Sequence, residues 1–532
     1  MKLNKIIYGI LCLTTLNACS DQMEYKEYSN YGADYVKRTF GDVGGLVANI
    51  YLGLDTDYGN YSGAILGSAT DESVYAHTGN QIADFYNGAW SPTNAKSSMW
   101  TSCYQQIANC NLYLDEFTGL TFSEYELISD YKGEMYRYNN YQYEVRFLRA
   151  YYYFNLVRQY GDVPFTDHVL TTAEVNSLER RPAKEIFDFI ISECDEIKDL
   201  IIENYENLGD WEPSNEARET GRANKRTVLA LKARAALYAA SPLFNEKPLE
   251  AGNELIGYAS YDSQRWNLAA QAAKDLIDQY GPKGKGTLNL AQDYRNIFVN
   301  FYGGNNPELI FFRPVGKNRT IETANGPLGF SGNSLGNGNT NPTQNLVESF
   351  LMKDGKKPGE STKYIYNSVD DPFKDRDPRL DLTVLHNGSR WLNTTLDTKV
   401  GGTHNPSGAQ YSRTCYYMAK FMKDYQALGN YEDDIHLWVI YRYGEVLLNY
   451  AEALNEVAVA GGTIDYKEVI NSLVQLRKRA GIEPGDDGNY GLPTSEAYDP
   501  IEMRDIIRNE RRIEMAFEEQ RYWDIRRWRI AE

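Results

Sequence analysis

The chain is 532 residues long, 42% hydrophobic and 24% charged, with a net charge of −18 at pH 7. That length is ample for a large core or for two to three domains, and so acidic a balance excludes nucleic acid or an anionic membrane surface as the main partner. Tyrosine is unusually common, at 43 residues; its flat apolar face and polar tip suit surfaces that stay partly wet.

Residues 1–18 read as a leader. Lys2 and Lys5 precede an apolar run, 6–16, that is too short to span a bilayer. Leu16, Asn17 and Ala18 then lead into Cys19. The pattern resembles a bacterial lipobox, in which cleavage leaves Cys19 as a lipidated N-terminus, although Asn17 departs from the usual small or apolar residue. Residues 19–40 form a polar tether.

Residues 41–280 carry a helical scaffold. Trp100, Tyr104, Ile107, Asn111 and Leu114 recur at steps of four and three, one face of a helix. "YQYEVRFLRAYYYFNLVRQYGDVP" is apolar on nearly every side and is expected to be buried, with Gly161 and Pro164 as its stop. "RRPAKEIFDFIISECDEIKDLI" opens with Pro182 in its first turn and stripes Ile186, Phe189, Ile190, Ile197 and Leu200. "NKRTVLALKARAALYAASPLF" and "RWNLAAQAAKDLIDQYG" follow, with alanines at 233, 235, 236, 269, 270 and 273 that let helices approach closely. Helix starts fall roughly forty residues apart, a degenerate helical-hairpin array. Cys103 and Cys110 stand two turns apart along one helix, roughly 10 Å, too far for a disulfide. With Cys194 and Cys415 they read as small buried hydrophobes. No CxxC supports zinc or a redox pair.

Residues 281–433 form a loop-rich inserted region. "GPLGFSGNSLGNGNTNP" is plain loop, and "ELIFFRPV" suits a strand. So long an irregular stretch inside a globular protein points to function. Helices are expected again over 434–532, in "IHLWVIYRYGEVLLNYAEALNEV", "YKEVINSLVQLRKRAG" and "PIEMRDIIRNERRIEMAFEEQRYWDIRRW". In the last of these, Arg511 and Glu514, Glu518 and Arg521, and Asp524 and Arg527 are each three apart, hence neighbours on a helix. Ile513, Phe517, Trp523, Ile525 and Trp528 supply apolar contacts. The segment reads as a buried charge network that locks the helix onto the array.

Signals for chemistry are weak. Ser334 in "GNSLG" fits GxSxG but lacks the flanking strand and helix that motif requires. The five histidines are scattered, with no HExxH. Asp71 and Glu72 are adjacent and point opposite ways in an extended segment, so they cannot flank one glycosidic bond. Calcium suits an acidic chain, but no EF-hand spacing supports it, and no cofactor is indicated.

"NERRIEMAFEEQRYWDIRRW" resembles the C-terminal signature of the SusD/RagB-like glycan-binding lipoproteins, through Glu510, Arg511, Arg512, Glu514, Ala516, Phe517, Glu518, Arg521, Tyr522, Asp524, Arg526, Arg527 and Trp528. Gln520 replaces a glycine often found before the arginine. "YRYGEVLLNYAEALNE" is similar to another family segment, with Gly444 in place of alanine, and "LRKRAGI", "RDPRL" and the lipobox fit as well. "SDQME" after Cys19 looks like the acidic signal that sends Bacteroidetes lipoproteins to the cell surface. Family members commonly run on past the point, four residues after Trp528, where this sequence stops.

The resemblance implies a mainly α fold, a tetratricopeptide-like array bearing the loop-rich insertion. It also implies a non-catalytic, lipid-anchored outer-membrane protein that captures oligosaccharide for a SusC-like TonB-dependent transporter. It does not name the sugar: fructan is favoured weakly, then starch. Sugars bind through aromatic faces and through carboxylate, amide or guanidinium partners, on loops held by a rigid scaffold. Loop position and chemistry therefore single out Trp90, between Asn87 and Asn94, with Asp71 and Glu72 before it. Tyr302, Arg390 and Trp391 are the candidates in the inserted region. A hydrolase on the same scaffold, or a peptide-capturing relative, are the competing readings.

Overall fold

The computed structural model describes residues 32–531 apart from positions 92, 97, 98, 204, 206–218, 220, 247–249, 251, 252, 254, 300–305, 409 and 410. The leader, Cys19, Tyr302 and most of the tether lie outside the described residues. The scaffold helices are α1 (Phe40–Tyr51), α2 (Met99–Glu116), α3 (Tyr131–Tyr160), α4 (Ala183–Ile197), α5 (Lys225–Ala240), α6 (Gln264–Tyr280), α7 (Tyr443–Val459), α8 (Tyr466–Ala480), α9 (Pro500–Glu514) and α10 (Gln520–Arg527). Each of α2 to α6 packs on the next, α6 packs on α7, and α7 packs on both α8 and α9. The array therefore runs straight across the insertion, which loops out between α6 and α7. The expected mainly α architecture is the observed one.

The local reasons are plain in the sequence. In α3 the buried run from 147 to 158 is continuous, because this helix has α1, α2 and α4 around it. It stops at Gly161, whose φ of +75° a side chain would resist. The alanines of α5 and α6 are buried where these two helices pack on each other. Cys103, Cys110 and Cys194 are buried thiols; Cys415 is only half-buried, and all four are unpaired. No described helix is long and apolar enough to cross a membrane.

Two expectations are corrected. Helix was expected from 435, but Asp434–Arg442 is a strand, β4, paired antiparallel with β2 (Leu309–Asn318). From His436 to Arg442 every residue of β4 is buried. A strand buried on both faces reads as a continuous apolar run, which periodicity cannot tell from helix. The C-terminal segment, expected as one helix, breaks between α9 and α10, where Phe517 and Glu519 take φ of +64° and +67°. Both are left-handed positions of the kind that favours glycine, and Gln520 is not one of them.

The inserted region is irregular, but it is tied down. Strand β1 (Ser73–Tyr75) pairs with β3 (Thr340–Pro342). Gly355 sits in a turn against α8, its carbonyl accepting from Arg477 at 3.2 Å. Its φ is +78°, and a Cβ there would lie 2.2 Å from the Tyr490 carbonyl oxygen. Gly355→Ala should therefore cost at least about 2 kcal/mol, read as a lower urea midpoint; an unchanged midpoint would show that this turn relaxes freely.

Beneath α9 lies an ionic core. Arg442 donates to Glu308 (2.6 Å), Glu514 (2.8 Å) and Glu518 (2.8 Å). Arg379 binds Asp377 (2.7 Å), Glu510 (2.8 Å) and Glu514 (2.9 Å). Arg477 binds Glu510, Arg479 binds Glu308 and Glu514, and Lys420 binds Glu518. Five cations meet five carboxylates, all at most 5% exposed. Gly444 follows from this packing: a Cβ there would meet the Arg442 guanidinium at 2.5 Å and Glu308 at 2.7 Å. A second buried set joins Arg511 to Asp524, and Arg527 to Asp524 and Glu452. Of the three pairs read from spacing, only Asp524–Arg527 forms: the break at 515–519 separates Glu518 from Arg521, and within α9 Arg511 turns to Asp524 while Glu514 is taken by Arg379, Arg442 and Arg479.

Candidate functional site

Three of the residues singled out from the sequence, Asp71, Glu72 and Trp90, lie in the loop between α1 and α2. Asn80 caps a short 3-10 turn, Gln81–Phe85, by accepting from the Ile82 amide. The chain then turns back so that the Trp90 amide donates to the Asp84 carbonyl at 3.2 Å. Asp84 forms an ion pair with Lys96 at 2.6 Å, which holds its carboxyl below the usual range. Asn87 accepts from the Ala89 amide and Asn94 donates to the Ala89 carbonyl, so both asparagines brace the loop. On this frame Trp90 is 38% exposed and Tyr86 57% exposed.

Trp90 is not a loose ring. It meets Phe85 edge-to-face at 4.9 Å, and Phe85 in turn meets Tyr61 at 5.4 Å and Tyr522 at 5.7 Å. An aromatic supported in this way offers its free face at little entropic cost. Phe85, Tyr86 and Tyr61 escaped sequence reasoning; "DFYNGAW" does signal a dense aromatic loop, but not which rings stay open.

The other candidates separate. Asp71 forms ion pairs with Arg521 and Arg512, each at 2.8 Å, and its carboxyl is lowered against the pull of burial by these two arginines. Glu72 turns inward, 1% exposed, and accepts from the Phe517 amide at 3.3 Å. Burial pushes its carboxyl up to about 8. Both side chains fasten the loop to the C-terminal segment. Trp391 is fully buried, donating to the Tyr431 hydroxyl at 3.1 Å and packed on Tyr425. It presents no open ring, which corrects its choice as a contact residue. Arg390 is exposed on a hairpin (Arg390–Trp391 with Thr394–Thr395), near the Thr395 hydroxyl. No described contact joins it to Trp90.

Behind Tyr61 is a cavity of about 220 Å³, between residues 53–66, α3, β4 and the turn at 518–520. Asp55, Asn60, Tyr61, Asn155, Arg158 and Glu519 are among its lining. Burial and the Glu519 carboxylate push the Asp57 carboxyl upward. Glu519 is itself held by Arg158 (3.3 Å) and the Trp523 indole (2.8 Å). Among the described residues no group of three His, Cys, Asp or Glu is placed to hold a metal ion. The Ser334 hydroxyl is spent on the Gly429 carbonyl at 3.0 Å and on Asn430.

The fold is a helical-repeat scaffold with exposed aromatic side chains on one of its loops. Two family models match the chain, the SusD family over residues 307–532 and "starch-binding associating with outer membrane" over residues 23–221. The chain belongs to the SusD/RagB-like family. SusD-like protein P2 of Formosa agariphila is 25% identical over 547 residues, covering 100% of this chain and 92% of the relative. A SusD-like carbohydrate-binding protein from Bacteroides fragilis superposes with a TM-score of 0.70 at 24% identity, covering 93% of this chain and 87% of that one. A laminarin-binding SusD-like protein has a TM-score of 0.62 at 18% identity, with 92% and 91% covered.

Proposed function

We propose that this protein captures carbohydrate without cleaving it, at the loop bearing Trp90. On this reading it stands on the outer membrane through a lipid on Cys19 and hands its ligand to a SusC-like TonB-dependent transporter. The observation that carries the reading is the Trp90 ring, exposed yet fixed on Phe85. Its flat face matches the C–H face of a sugar, and the neighbouring Tyr86 adds a hydroxyl partner. Family membership supports the same class of ligand. Fructan oligosaccharides remain the first to test, then starch; the laminarin-binding neighbour adds laminarin oligosaccharides.

The test is calorimetric titration with that panel. Trp90→Ala should weaken the best ligand by about 1–2 kcal/mol, roughly 5–30-fold, with an unchanged melting temperature. Undiminished affinity would misplace the site. The appearance of shorter oligosaccharides in the incubation would make the protein a hydrolase.

A further inference from the structure

We propose that the cavity behind Tyr61 receives the terminal ring of the carbohydrate, so that the protein recognises a chain end. This rests on the carbohydrate reading above and goes further, to the form of the ligand. The first argument is continuity. Tyr61 lines the cavity and also meets Phe85, which supports Trp90. The aromatic surface therefore leads from the exposed platform to the cavity rim without a gap.

The second argument is size. A volume of about 220 Å³, at about 30 Å³ per water in the liquid, holds some seven waters. That is the bulk of one sugar ring and too little for two, so an unbranched chain enters by its end or not at all. The third is chemistry. At the rim, the side chains of Asp55, Asn60 and Tyr61 make no hydrogen bond or ion pair within the described protein, and Asp55 and Asn60 are exposed. Deeper in the lining, the side-chain carbonyl of Asn155 (7% exposed) and one carboxyl oxygen of Asp57 (4% exposed) lack donors. Buried polar atoms without partners are costly and uncommon, and a ring of hydroxyls can supply both donors and acceptors.

The experiment uses the full chain and the tightest-binding linear oligosaccharide of the panel. Two derivatives of it are titrated alongside, one reduced at the reducing end and one methylated at the non-reducing end. Blocking one end should weaken binding at least tenfold while blocking the other leaves it within twofold. Asp55→Ala/Asn60→Ala, a change confined to exposed rim residues, should also weaken the unmodified ligand about tenfold and abolish the preference between ends. Equal affinity for both blocked forms and the parent overturns the proposal, and water then fills the cavity. Failure of every carbohydrate to bind overturns this proposal together with the reading beneath it; binding that ignores the ends overturns this one alone.

Discussion

Arg442→Met should destabilise the protein by about 3–5 kcal/mol, the range expected when one member of a buried ion network is removed. Arg442 is fully buried and is the one cation that touches Glu308, Glu514 and Glu518 together. Its guanidinium, with those of Arg479 and Arg379, holds the Glu514 carboxyl well below the usual carboxylate range despite complete burial. Without it, three carboxylates share the neighbours that remain, and the Glu514 carbonyl loses a donor at 2.9 Å. The free energy of urea unfolding measures the loss. The contrast is the exposed pair Lys184–Asp188 on α4, with side chains 54% and 52% exposed; breaking it should change stability by less than about 0.5 kcal/mol. Equal effects at the two places would mean that this core does not hold the insertion against the array.

Glu72→Gln should change the pH dependence of stability more than its value at any one pH. The Glu72 carboxyl titrates near 8 in the folded chain and near 4.5 in its ordinary state. Below 4.5 it is protonated folded and unfolded, and its neutral, buried form costs nothing extra. As pH rises the unfolded chain ionises first, so stability falls until the folded group ionises too, near 8. Glutamine carries no proton to lose and still accepts from the Phe517 amide. The difference in unfolding free energy between variant and parent should therefore grow by about 3–5 kcal/mol from pH 4 to pH 9, in favour of glutamine. Lys420, which burial brings down to about 8, tilts stability the other way, but it is common to both proteins and cancels. A flat difference across this range would show that Glu72 reaches water.

What was legible in the sequence was what neighbours along the chain determine. The all-round apolar face of α3, the alanines of α5 and α6, and the loop character of 281–433 needed no partner to be read. Strand β4 was missed because complete burial erases the alternation that marks a strand. The ring of Trp391 looked available beside Arg390, yet its indole finds Tyr431, forty positions away. Asp71 and Glu72 looked like ligand groups because their arginine and amide partners lie more than 440 positions later. The charged signature was rightly read as a buried network, but its pairings depended on a break at 515–519 that no glycine or proline announces. At the site, Trp90 was visible as a loop aromatic. The rings that support it, and the cavity behind Tyr61, arise only where separate segments meet.

The clasp between Asp71 and Arg521 joins residues 450 positions apart, and Arg158 and Glu519 are 361 apart. During translation, the β1–β3 pairing can tether the loop that bears Trp90 first, whereas these two clasps close only when nearly the whole polypeptide has emerged. Contacts of such long range are slow to form and leave apolar surface bare in the meantime. Ligand competence should thus arrive late in biogenesis, after the early helices have paired.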